Sequence, residues 1–113
     1  MHRINNKPTV KYKDEVVDYL NELIDTLFDQ NYFNFKDSAK QYVTDMKKYI
    51  ETYISILPAN IAPPYFSKYQ TGMQYVTYKP NKRTTWYFFF LQENNRYLVC
   101  YITNNHFEGQ YIR

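Results

Sequence analysis

The sequence holds one cysteine, Cys100, and two glycines, Gly72 and Gly109, among 113 residues. A single cysteine excludes an internal disulfide and any cysteine-built zinc site. Two isolated glycines exclude a glycine-rich phosphate loop, and with it the P-loop and dinucleotide fingerprints. No apolar run approaches the ~20 residues that cross a bilayer. The opening stretch MHRINNKPTVKYKDE lacks the apolar centre of a signal peptide. A lone thiol fits a reducing compartment. The expectation is a cytoplasmic protein with no membrane contact, no metal and no organic cofactor.

What the chain has in excess is aromatic surface. It carries 14 Tyr, 8 Phe and 1 Trp, or 20% of its residues. Net charge is +3, but its halves differ. Residues 1–57 carry eight Lys/Arg against nine Asp/Glu, a balance of −1. Residues 58–113 carry six against two, a balance of +4, together with 14 of the 23 aromatics. Basic and aromatic residues together suit a surface that meets nucleic acid. They equally suit an aromatic sheet with lysines along its edges.

The length suits one domain, residues 1–113, with a modest core. The first half has helical period. Val16, Leu20, Leu23, Ile24 and Leu27 share one face, with Asp14 placed to cap and an end near Asp29–Asn31. Ala39, Tyr42, Val43, Met46, Tyr49, Ile50, Tyr53, Ile54 and Leu57 predict a second helix. Ser38 with Gln41 reads as its capping box, and Pro58 as its stop. QNYFNF would join the pair as an αα-hairpin. The stretch PANIAPPYFSKYQTG is rich in breakers. The period then changes to two. GMQYVTYK (72–79), TTWYFFFLQ (84–92) and RYLVCYIT (96–103) read as strands of an antiparallel meander, the second buried on both faces. Leu98, Cys100 and Ile102 would share one face of the last strand, and Tyr97, Val99, Tyr101 and Thr103 the other. Cys100, Trp86 and Phe88–Phe90 read as core. Thr9–Tyr12 is a candidate edge strand. The expected fold is α+β: an N-terminal αα-hairpin packed on a three- to four-stranded antiparallel sheet. The sheet face away from the helices would stay open, with Tyr75, Tyr87, Tyr97 and Tyr101 as candidates to line it.

A helix pair, a proline-containing loop, a three-stranded meander and a histidine just past the last strand resemble the RelE/ParE toxins of bacterial type II toxin–antitoxin systems. The resemblance covers residues from about Thr9 to the end and is most specific in TTWYFFFLQENNRYLVCYITNNH. It implies a toxin held by a cognate antitoxin, whose partly disordered segment folds onto it. Two activities follow from it: metal-independent cleavage of mRNA on the ribosome, as in RelE-like members, or inhibition of DNA gyrase, as in ParE-like members. A non-catalytic relative that only binds nucleic acid or protein stays open beside them. Two features depart from the nuclease pattern. TTWYFFFLQ has no basic residue within it, and Glu108 stands where many relatives carry arginine.

Metal-free RNA cleavage needs a base for the 2′-hydroxyl, an acid for the leaving 5′-oxygen and cations for the phosphate. Imidazole titrates near physiological pH, which fits His106 for proton transfer. Tyr111 is the second catalytic candidate, as a phosphate-positioning or proton-donating group. Lys79, Lys82, Arg83, Arg96 and Arg113 are the candidate phosphate ligands, the arginines through paired hydrogen bonds. Each has a plainer alternative. A histidine after a strand often caps it, Tyr111 can simply pack the tail, and Lys82–Arg83 can be a solvated turn.

Overall fold

The computed structural model describes residues 7–30 and 33–112. Arg113 lies outside the described residues, as do His2 and part of the QNYFNF link. Strand β1 (Thr9–Tyr12) leads into α1 (Asp14–Asp29) and α2 (Lys36–Tyr53). A short β2 (Asn60–Ile61) and a 3-10 turn (Pro64–Lys68) follow, then β3 (Gln74–Tyr78), β4 (Trp86–Glu93) and β5 (Arg96–Asn104). The described chain closes with α3 (Asn105–Glu108) and a second 3-10 turn (Gly109–Tyr111).

The α+β class and the helical hairpin are as expected, and the sheet is larger. Five strands lie in the order β1-β5-β4-β3-β2. It is a mixed sheet, because β1 runs parallel to β5, with Thr9 opposite Arg96 and Tyr12 opposite Val99. Two devices hold that edge. Thr9 N–H donates to the Asn95 carbonyl and Lys13 N–H to the Val99 carbonyl. The Tyr12 hydroxyl also donates to Glu51 on α2 at 2.6 Å. β2 is two residues long, too short to leave an alternating pattern in the sequence.

The helix starts differ from expectation. Lys13 occupies the N-cap of α1 and Asp14 is its first residue, where a carboxylate favours the positive helix end. α2 begins at Lys36 with Phe35 as N-cap and no side-chain cap. Ser38 therefore sits inside the first turn, and Gln41 bonds Asp45 one turn on. The capping box does not form. The helix ends at Tyr53, and a turn with Leu57 N–H on the Tyr53 carbonyl carries the chain toward Pro58.

β4 is the middle strand and is buried on both faces. Trp86, Phe88 and Phe90 meet Val16, Leu20, Val43, Met46 and Ile50 of the hairpin. The Trp86 indole N–H donates to the Tyr42 hydroxyl at 2.9 Å. Phe89 points the other way, into a cluster with Phe66, Met73 and Cys100. The second face is therefore covered, contrary to the expectation of an open one. The Pro64–Lys68 turn lays Phe66 on it, 4.4 Å from the Phe89 ring.

A bulge explains a further correction. Phe89 pairs with Tyr101, yet Phe90 pairs with Val99, which leaves Cys100 as an extra residue in β5. The extra residue reverses the alternation. Ile102 joins Tyr97 and Val99 against the helices, while Leu98, Cys100 and Tyr101 face the second cluster. Tyr97 is thus core, only 6% exposed.

The β4–β5 turn needs one left-handed residue, and Asn94 supplies it at φ 53°. Asparagine tolerates that region and a β-branched residue does not. Asn94→Val should lower the unfolding free energy by about 1–2 kcal/mol in urea titrations. Asn94→Gly should leave it nearly unchanged.

Candidate functional site

Strand β5 ends in two asparagines with separate tasks. The Asn104 side-chain oxygen accepts from the backbone N–H of His106 and Phe107 at 2.9 and 3.0 Å, and so starts α3. Asn105 locks that helix onto the β3–β4 turn. Its side chain accepts from Thr85 N–H at 2.8 Å and donates to the Arg83 carbonyl at 3.0 Å. Its own N–H donates to the Thr85 carbonyl. Asn81 orders the turn from inside, accepting from Arg83 and Thr84 N–H.

This interlock sets the place of the sequence-predicted residues. His106 is exposed on α3, and its Nε2 lies 3.2 Å from Thr84 Oγ1 in the turn. Lys79, Lys82 and Arg83 are exposed on the same turn, so four of the candidates share one end of the sheet. Arg96 does not join them. It opens β5 at the opposite end, a strand length of roughly 26 Å away. Tyr111 takes different partners, stacking on Tyr65 with ring centroids 3.7 Å apart and planes at 1°. Arg113 lies outside the described residues.

Beside this end sits a tyrosine cluster that sequence reasoning missed. Glu108 turns inward and is 3% exposed, so its carboxylate does not face the basic turn as a surface charge would. The Tyr101 hydroxyl donates to it, and the Tyr69 hydroxyl lies 3.5 Å from its other oxygen. The Tyr69 and Tyr101 rings stack at 3.8 Å. Lys68 places its ammonium 3.8 Å from the Tyr65 ring centroid. The signal available in the sequence was the spacing of Tyr65, Lys68 and Tyr69 at one helical turn behind Pro64.

Burial, then the bonds to Glu108 and Tyr69, drive the Tyr101 phenol far above its ordinary range. Tyr19 on α1 is pushed up to about 12 by burial and by the Glu108 charge. Burial also raises the Cys100 thiol, against the opposing pull of Lys13, so it is a poor nucleophile. Between α1 and β5 a cavity of about 410 Å³ is lined by Val16, Tyr19, Tyr69, Tyr101, Thr103 and Phe107, among others. Thr103 is 2% exposed, and its hydroxyl meets no hydrogen-bonding partner among the described residues. Among those residues no group of His, Cys, Asp and Glu side chains is disposed to hold a metal ion.

Compared with known proteins, the chain matches no family model, no curated protein and no solved structure.

Two predictions follow from these environments. A phenol with a raised folded pKa keeps its proton longer in the native state, so its contribution is intact below the unfolded value of about 10 and is lost as pH climbs through the folded value. Urea midpoints should thus hold to about pH 9 and fall above about pH 10, and Tyr101→Phe should flatten that fall. Thr103→Val removes a buried, unbonded hydroxyl and keeps the shape. It should raise the unfolding free energy by about 1 kcal/mol, and a loss of that size would show the hydroxyl to be satisfied.

Proposed function

We propose that this chain is the toxin component of a type II toxin–antitoxin system and arrests growth by metal-independent, ribosome-associated cleavage of mRNA. The observation that carries this is the seat of His106. Its ring is held by Thr84 against the turn that presents Lys79, Lys82 and Arg83, and Asn105 fixes helix and turn together. Support also comes from the order of elements behind the resemblance to RelE/ParE toxins: helical hairpin, proline-containing loop, meander, then histidine. Glu108 is turned inward, so its charge does not stand at the turn to repel a phosphate, while the arginine that many relatives carry there is absent.

In this reading the Nε2–Thr84 contact orients the imidazole and leaves Nδ1 to face substrate. The histidine takes the proton of the ribose 2′-hydroxyl. The 2′-oxygen then bonds to phosphorus as the bond from phosphorus to the 5′-oxygen breaks, and the leaving oxygen takes a proton from solvent water. Lys82 and Arg83 offset the charge on the phosphate. Tyr111, engaged with Tyr65, sits at the margin, and Arg96 lies too far along the sheet to share this phosphate. The partner is a cognate antitoxin and the target is mRNA in the ribosome.

Induced expression in a bacterium, with labelled methionine and thymidine followed in parallel, tests this. Protein synthesis should fall first. His106→Ala should slow RNA cleavage by about 100-fold or more and abolish arrest, with an unchanged circular dichroism spectrum. An early fall in DNA synthesis would favour gyrase as target. Undiminished arrest by the His106→Ala chain would remove the histidine from the mechanism.

A further inference from the structure

We propose that the cavity between α1 and β5 binds a small organic cation: an ammonium head held by tyrosine, with a neighbouring polar group bonded to Thr103. The site is separate from the basic turn and does not depend on the toxin reading. At about 410 Å³ the cavity is within the usual range for small-molecule sites. Two features of its walls point to the ligand.

The first is charge. Glu108 is a nearly fully buried carboxylate, yet among the described residues no lysine, arginine or histidine forms an ion pair with it. The one ion pair among the described residues joins Lys36 to Asp25 on the hairpin. Lys68 is linked to Glu108 through Tyr65, which interacts with both, and the Lys68 ammonium itself sits over the Tyr65 ring. The charge is instead passed through Tyr101 and Tyr69, which bond Glu108 and also line the cavity. A phenol that donates to a carboxylate has a more electron-rich oxygen and ring face. Tyr69 and Tyr101 stack on each other, so it is their phenol oxygens and outer faces that can meet a cation in the cavity. Lys13 and Glu15 carry opposite charges at the α1 end of the cavity, and the Lys13 ammonium is already bonded to Gln70 at 2.9 Å. That end is therefore close to neutral.

The second is the Thr103 hydroxyl. It lines the cavity, is almost wholly buried, and lacks a partner among the described residues. A buried hydroxyl left without a partner is costly, and a polar atom on the ligand would satisfy it. Phe107, 71% exposed, supplies an apolar wall.

Calorimetric titration of the full chain with choline and with 3,3-dimethylbutan-1-ol tests the proposal, because the two share shape and hydroxyl and differ in charge. Choline should bind at least about tenfold more tightly. Thr103→Val should weaken choline and leave tetramethylammonium unaffected. Tyr101→Phe should weaken both cations. N-acetyl-lysine amide separates the sources: tighter binding than choline assigns the cation to a partner's lysine side chain, and weaker binding assigns it to a free amine. Equal affinity for the neutral alcohol would overturn the proposal. So would no binding of choline to the folded wild-type chain, or choline affinity unchanged by Thr103→Val.

Discussion

The bracket made by Asn105 joins the exit of β5 to the β3–β4 turn, and the placing of His106 and Glu108 depends on it. One side chain accepts from Thr85 and donates to the Arg83 carbonyl, while the Asn104 oxygen beside it starts a helix. Neutral hydrogen bonds of this kind contribute about 1 kcal/mol each. Their value here is positional. They stop β5, turn the chain through one helical turn, and aim His106 at the basic turn and Glu108 at the tyrosines. A histidine on an unanchored tail would sample many positions instead.

Behind the bracket lies the double burial of β4. Phe88 and Phe90 need the helices, and Phe89 needs a cover on the other face. The hairpin supplies the first. The second comes from the Pro64–Lys68 turn, with Tyr65, Leu98 and Ile112 packed around it. The bulge at Cys100 lets one strand serve both layers, because it switches β5 from one alternation to the other midway. Tyr101 thereby faces Tyr69 and Glu108, while Ile102 stays with the helices.

The helices and the central strands were legible because their burial is periodic. The face of α2 steps by three and four from Ala39 to Ile54, and WYFFFLQ has no polar face. The rest was hidden for specific reasons. The Cys100 bulge carries no glycine or proline to announce it. β1 reveals its parallel pairing only through a partner some 87 positions away in the chain, Arg96 for Thr9. Ser38 and Gln41 fit a capping box by type, but the turn opened earlier, at Phe35. At the site, His106 and the Lys79–Arg83 turn were found by residue type, and their shared end of the sheet follows from strand order. Glu108 read as a surface acid beside a histidine, since nothing local says that Tyr69 and Tyr101 wait to receive it. Arg96 was grouped with the other cations by charge alone, and the length of β5 separates it from them.

The central claim is that residues 105–108 form a fixed end of the sheet. Native-state hydrogen exchange reads this directly at the amides of Asn105, His106 and Phe107, which donate to Thr85 O and Asn104 Oδ1. The account predicts that these amides exchange slowly, with protection close to that of the β4 and β5 amides. Exchange at the rate of an unstructured chain would contradict it. His106 would then ride on a frayed end, with no geometry to bring it to the basic turn.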